Sequence, residues 1–432
     1  MYGDTKYISE NIADYEEEYE MEKNSGSFFL LDNIFIMGIV FAPMTALRVY
    51  KFGPGELLLI LWMIAVFMGR NPSTIYPPMT LPMTIIGRYQ RANLIMMMIG
   101  LAVNIVFYNP VLSRSAIITD VFSHLFMLLF SGCMYLYLEE RSIEDINRII
   151  RSVVVRGAIV YGFLLYYATF ISTSFLGTRL WLGGRGYRFM GMAANPHQIG
   201  MITGVGICFS VYLLSIESRI FQRVFLAIIA IIWYRISLSL KSDTLTITYI
   251  LLVAIGILLL IPKRSKDFNA RRSSFSVIIL ICILGMIVLF PFLWNKLSNF
   301  VLGAGNGENR LELWNAGLGQ FRNKILCFFT GLGPGGNTGL YMEITGHEME
   351  AHNTYVQQIL NSGIFICLYY IRMIFDLVKN PMEKNTFLVI AVMYFVLYGF
   401  GGNMNRRVMV WFTFTIALVL FEKTRDLEIS EK

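Results

Sequence analysis

A succession of long apolar stretches, each nearly free of charge, most restricts how this chain folds. The strongest are 28–47, 56–69, 94–108, 117–137, 154–176, 198–215, 222–239, 245–262, 275–294, 354–375, 386–400 and 408–421. Several reach roughly 17–22 residues, the length a helix needs to cross ~30 Å of hydrocarbon. The chain is 56% hydrophobic and only 15% charged, with a mean hydropathy of +0.58. Soluble domains carry about 25% charge, so that class is excluded. The expected fold is an all-α polytopic membrane protein of about twelve transmembrane helices.

An acidic segment, residues 1–26, precedes the first apolar stretch and lacks the basic start and apolar centre of a cleavable signal. It reads as a disordered cytosolic tail, and 27–432 as a single transmembrane domain. The formal charge of +7 follows from basic loops rather than from a nucleic-acid site, since no basic patch is interleaved with stacking aromatics. Four of the five cysteines lie in apolar stretches, and Cys327 stands alone in a loop, so no disulfide framework is implied.

With the N-terminus inside, the inner loops are 139–156, 215–223 and 262–274, which hold many of the Lys and Arg residues. The outer side then receives 177–197, the turn around Lys241, a long segment of about 295–353, and 401–407. These outer segments are also rich in arginine, against the positive-inside bias, which points to a task for those charges. The chain shows no repeat of 20–50 residues and no matched pair of broken helices.

The first outer segment, GTRLWLGGRGYRFMGMAANPHQIG, carries Arg179, Arg185 and Arg188 among glycines that let backbone approach a ligand. Asn195-Pro196-His197 then opens the next helix, with proline pre-organised for a first turn. The arginines read either as lipid-headgroup contacts or as an anion site. In the long outer segment, Asn309 and Glu312 resemble a capping box, and Leu311, Trp314, Leu318 and Phe321 recur at helical spacing. That pattern predicts an interfacial amphipathic helix beginning near Arg310, whose guanidinium would stand where a helix N-terminus favours phosphate. The following GLGPGG, 331–336, has neither a surrounding βαβ unit nor a Gly-Lys-Ser/Thr, so it reads as a flexible turn.

GHEMEAHN, 346–353, holds two of only four histidines. His347 and His352 are five residues apart, whereas the zinc-protease pattern needs four, so no metal is expected. His352 stands just before an apolar run. An imidazole at a helix N-terminus is held neutral by the dipole and can accept a proton, making His352 a candidate general base. The alternative is that His352 only caps the helix.

Taken together these stretches resemble the O-antigen polymerase and ligase family of bacterial membrane glycosyltransferases. The resemblance is carried by Arg188, Gly191 and Asn195-Pro196 opening a helix, the LSLKSDT turn at 238–244, Arg310 with Trp314, Gly331 and Gly333, and His352-Asn353 followed by Gly363. It covers roughly 180–370. Two positions depart from the family pattern: Lys241 stands where an arginine is frequent, and Asn-Pro-His replaces Asn-Pro-Asn. The resemblance implies a GT-C-like helical fold and a site facing the periplasm of the bacterial inner membrane. It implies an undecaprenyl-diphosphate-linked oligosaccharide as donor and no cofactor. It assigns Arg188 and Arg310 to the diphosphate and His352 to the acceptor hydroxyl, with Arg185, Lys241, Asn195, Asn353 and His347 as substrate-binding candidates. Membrane lipids and a chain-length regulator are the further partners expected, and nucleic acid is not. Repeat-unit polymerase is the first reading, ligase to lipid A core the second, and a polysaccharide flippase or exporter the third.

Overall fold

The computed structural model describes residues 30–48, 52–69, 82–108, 113–260, 306–336, 338, 341, 350–379 and 386–430, with side chains at 258–260, 306–312 and 427–430 outside the description. The tail 1–26 and the apolar stretch 275–294 therefore lie outside the described residues. The first helices are α1 (Leu30–Phe41), α2 (Pro54–Met68), α3 (Ile85–Tyr108), α4 (Arg114–Glu139) and α5 (Ile143–Phe170). After two hairpins come α6 (Pro196–Ile216), α7 (Ile220–Ser239) and α8 (Asp243–Leu260). The remainder is α9 (Asn306–Gly319), α10 (Ile325–Thr330), α11 (Thr354–Ser362), α12 (Ile364–Val378), α13 (Thr386–Tyr398) and α14 (Val408–Ser430).

Local chemistry sets many of these boundaries. Ser113 and Ser142 cap α4 and α5, accepting from the backbone N–H groups of Ala116 and Asp145. Pro54 and Pro196 occupy the first turns of α2 and α6. Gly363, at φ +83°, separates α11 from α12, and a Cβ there would lie 2.0 Å from the Phe329 carbonyl oxygen. The apolar stretch 354–375 is thus one broken helix, which its hydropathy alone conceals.

Five helices, α3 to α7, are long and apolar enough to cross a membrane, and α1, α2, α8 and α13 are shorter apolar helices. Outward faces of these helices expose large apolar side chains, among them Ile95 and Val106 on α3, Phe163 and Tyr166 on α5, and Ile231 on α7. Such surface is costly in water and natural in lipid, and the chain is accordingly membrane-embedded. At the centre, α6 packs against α5, α7 and α13. Gly200 and Gly204 let α13 approach: a Cβ at Gly204 would sit 1.9 Å from Tyr394 Cζ. Tyr394 then donates to the Gly200 carbonyl at 2.8 Å.

Among the described residues, the segment between α5 and α6 departs from helix. β1 (Ser174–Phe175) pairs with β2 (Thr178–Arg179), and β3 (Trp181–Leu182) with β4 (Arg188–Phe189), both antiparallel. The first turn places Leu176 and Gly177 at φ +46° and +74°, the two left-handed residues that a tight hairpin needs. Trp181 anchors the second hairpin by donating from its indole to the Ala168 carbonyl at 2.9 Å.

Two further expectations are corrected. α9 begins at Asn306, so Asn309 lies inside the helix and does not cap it. GLGPGG is a packed turn rather than a flexible one. Gly331 and Gly333 hold φ of +82° and +85°, and a Cβ at Gly333 would lie 2.5 Å from Leu101 Cα. The N–H groups of Leu332 and Gly333 donate to the carbonyls of Leu360 and Asn361, at 2.6 and 3.2 Å. Close passage between α3, α4 and α11 is what selects glycine here.

Candidate functional site at one end of the bundle

Side-chain pairing divides the polar residues between two ends of the bundle. At one end Arg141 meets Asp32 at 2.9 Å, Arg151 meets Glu217 at 2.5 Å, and Lys423 donates to the Glu139 carbonyl at 2.7 Å. The candidates with described side chains lie at the other end, in the segments that follow α5 and α7 and that precede α6 and α11.

Two candidates lie on segments that touch. Arg188, half-buried on β4, donates from Nε to the Leu240 carbonyl at 3.2 Å. Lys241 follows Leu240, exposed, with its ammonium 5.9 Å from the centre of the Tyr187 ring. The hairpin thereby packs on the α7–α8 turn, and each carries one of the two cations. Arg185 sits exposed in the tip of the same hairpin, between Gly184 and Gly186.

Asn195 and Asn353 have structural tasks. The Asn195 side chain accepts from the His197 N–H at 2.9 Å, and Asn353 accepts from Tyr355 and Val356 at 2.9 and 3.1 Å. Each is the N-cap of its helix, so its carboxamide oxygen is engaged and only the Nδ2 amide remains to face a ligand. The second case also decides how α11 starts: Asn353 is the cap, and His352 is not.

His352 is half-buried at φ +49°. Its flanks are fixed. The Ala351 N–H donates to Gln357 Oε1 at 3.0 Å, and the Ala351 carbonyl accepts from the Trp314 indole at 2.7 Å. The Arg310 backbone belongs to α9, one turn before Trp314, and its side chain lies outside the described ones. Glu350 bonds to the Arg406 guanidinium and accepts from Asn403 Nδ2 at 3.1 Å. His347 lies outside the described residues.

Among the described residues, Leu176, Lys241 and His352 are the non-glycine residues with positive φ. A left-handed conformation costs an L-residue roughly 1–2 kcal/mol. Residual strain of this kind gathers where function over-determines the backbone. Two of the three positions are sequence candidates.

The segment 399–407 links the two halves. A Cβ on Gly401 would lie 2.1 Å from Thr244 Cγ2, just after the Lys241 turn. On the other side, the Thr354 hydroxyl donates to the Gly402 carbonyl at 2.8 Å and accepts from the Met404 N–H at 3.0 Å. No described contact joins Arg188 directly to His352; they are coupled through this segment.

Sequence reasoning missed the ion-pair network behind it. Arg406 is shared between Glu350 and Asp120, and Asp120 also accepts from the Gly335 N–H at 2.7 Å. Asp120 is buried, with His124 one turn on, its Nδ1 2.8 Å from the Asp120 carbonyl. The signal was present in the apolar stretch 117–137, because an acid within a membrane helix marks a partner or a function. Among the described residues no group of three or more His, Cys, Asp or Glu is placed to hold a metal ion. Neither the protein-family models nor the curated proteins contain a match to this chain.

Proposed function

We propose that this chain is a membrane glycosyltransferase that polymerises undecaprenyl-diphosphate-linked oligosaccharide repeat units, working at the outer face of a bacterial inner membrane. The observation that supports this most is the convergence of Arg188 and Lys241 at the bundle end that also holds a conformationally strained His352. Orientation comes from the basic loops at the opposite end, which the positive-inside rule assigns to the cytoplasm. On this reading α11–α12 is a single broken span and 275–294, outside the described residues, supplies a further one, toward the expected twelve.

The chemistry needs three tasks. As the sugar–phosphate bond breaks, negative charge grows on the departing diphosphate, and fixed cations at a low-dielectric boundary stabilise it where it forms. Arg188 supplies a planar fork suited to phosphate, with Lys241 and Arg310 as the further charges. An acceptor hydroxyl attacks the sugar carbon while its proton passes to the His352 imidazole. Undecaprenyl diphosphate leaves, and one glycosidic bond replaces one glycosyl phosphate bond. A donor carried on a lipid also requires a site reached from the bilayer, which explains an enzyme built of membrane helices.

One observation favours a second reading. Asn93, Gln358 and Ser362 are buried beside the helix break at Gly363, with Gln358 and Ser362 both donating to Asn93 Oδ1 at 2.5 and 2.6 Å. Interior amides at a discontinuous helix suit a translocation path, as a flippase or exporter would have. Purified protein in proteoliposomes, supplied with a lipid-diphosphate-linked repeat unit, separates these. We expect a ladder of polymers with undecaprenyl diphosphate released. Lipid-linked sugar moved across the bilayer with no new glycosidic bond would identify a translocator. Product formed only with lipid A core as acceptor would identify a ligase.

A further inference from the structure

The sequence candidates leave out the arginine with the least compensated surroundings. Arg407 ends the α13–α14 connection, and its Nε is buried with no hydrogen-bond partner among the described residues. It lines an open recess, together with Arg48, Arg406 and an apolar wall that includes Met127, Met201 and Met409. Glu56 also lines the recess and holds Arg48 there at 2.5 Å, while Asp120 and Glu350 both hold Arg406, so among the described residues none of these carboxylates pairs with Arg407. Burial, followed by repulsion from Arg406 and Arg48, pushes the Arg407 pKa down to about 10, and only Glu56 acts against this. Arg407 therefore keeps its charge at neutral pH, beside two other guanidiniums. A buried charge is expensive unless it is paired and hydrogen-bonded.

We propose that this recess is a phosphate-binding site, with Arg407 and Arg48 as its charged ligands and the methionine wall receiving apolar substance attached to the phosphate. Guanidinium forks match phosphate oxygens in pairs. Methionine adapts its shape to an irregular apolar partner. The site is separate from the Arg188–Lys241 pair and does not depend on glycosyl transfer taking place. A phosphate could reach it from solution or as a lipid headgroup.

The test measures binding alone, on the full chain in phosphatidylcholine nanodiscs. Inorganic pyrophosphate is titrated calorimetrically, and retention of a polyprenyl phosphate or of phosphatidylglycerol is read by native mass spectrometry. We expect at least one of these probes to bind. Losing a hydrogen bond to a charged group is worth about tenfold or more in affinity, so Arg407→Gln and Arg48→Gln should each weaken binding by about that factor. All variants carry Arg188→Gln, so that the diphosphate site proposed above does not contribute, and Arg148→Gln at the opposite end of the bundle should leave the remaining binding unchanged. Binding of pyrophosphate identifies a free-phosphate site, and retention of the lipids alone identifies a headgroup site. Unchanged affinity in Arg407→Gln overturns the proposal, as does the absence of binding by every probe. If Arg407→Gln unfolds, Arg48→Gln decides: undiminished binding in that variant also overturns it. Failure of the glycosyltransferase reading would leave these outcomes as they are.

Discussion

At the Asp32 end of the bundle two arginines each meet a carboxylate of their own, Arg141 with Asp32 and Arg151 with Glu217. At the Arg406 end one guanidinium serves Asp120 and Glu350 together, while Arg407 keeps an unpartnered Nε among the described residues. The same end carries Leu176, Lys241 and His352, the non-glycine residues with positive φ among the described ones. Pairing in the first region ties helix ends together. The second region holds strain and incompletely matched charge, features that cost stability unless the surroundings fix them. That contrast is the ground for reading the first as a structural end and the second as the candidate site.

The contrast can be broken most severely at Asp120. Its side chain is 6% exposed and its carboxylate joins Arg406 to the Gly335 N–H. Removing one partner of a buried ion pair typically costs about 3–5 kcal/mol. Asp120→Ala should therefore lower the thermal unfolding midpoint in detergent sharply. Arg148→Ala, which breaks an exposed i,i+3 pair with Asp145, should cost about 0.2–0.5 kcal/mol. Equal midpoints for the two variants would remove the distinction between the ends.

A second effect concerns Arg188. If its fork binds diphosphate, Arg188→Lys keeps the charge and loses the paired geometry, and kcat/KM for the lipid-linked donor should fall by about 10- to 100-fold. Arg179→Lys, on the exposed β2, should change little. Identical kinetics for both variants would show that position 188 supplies charge alone.

The smallest of these effects is at Gly333. Alanine there must adopt φ near +85° and place its methyl against Leu101 Cα. The conformation alone costs roughly 1–2 kcal/mol. We expect a measurable drop in stability from Gly333→Ala, and none from Gly319→Ala, where a Cβ would meet nothing within 4 Å. A stable Gly333→Ala protein would mean that the GLGPGG turn is loose after all.

Hydropathy made the spans legible, because lipid crossing depends on a one-dimensional property, the length of an apolar run. Arg188 and Lys241 could be picked out as basic residues in segments expected on the outer side, where such charge is disfavoured. What stayed hidden depends on three-dimensional contact. Leu176-Gly177 lacks the usual Asn-Gly signal, so the hairpins were missed. Asn309 fitted a cap pattern, yet the helix continues one turn upstream of it. Asn353 and His352 are adjacent, and only the backbone geometry shows that the asparagine caps α11 and the histidine does not. Arg406 gains its meaning from Asp120, which is 286 positions away in the chain.

The central claim is that His352 serves transfer chemistry at the Arg406 end, and it can be measured directly. Wild type and His352→Asn would be purified, shown to unfold at the same temperature, and reconstituted with an undecaprenyl-diphosphate-linked repeat unit. Polymer formed and undecaprenyl diphosphate released would both be timed. Asparagine suits a left-handed backbone position but accepts no proton near neutral pH. Loss of a general base typically lowers the rate by about 10²–10⁴-fold. We expect His352→Asn to fold normally, bind the donor, and fall in rate by that order. Polymer released by His352→Asn at the wild-type rate would contradict the assignment and return His352 to a purely structural position.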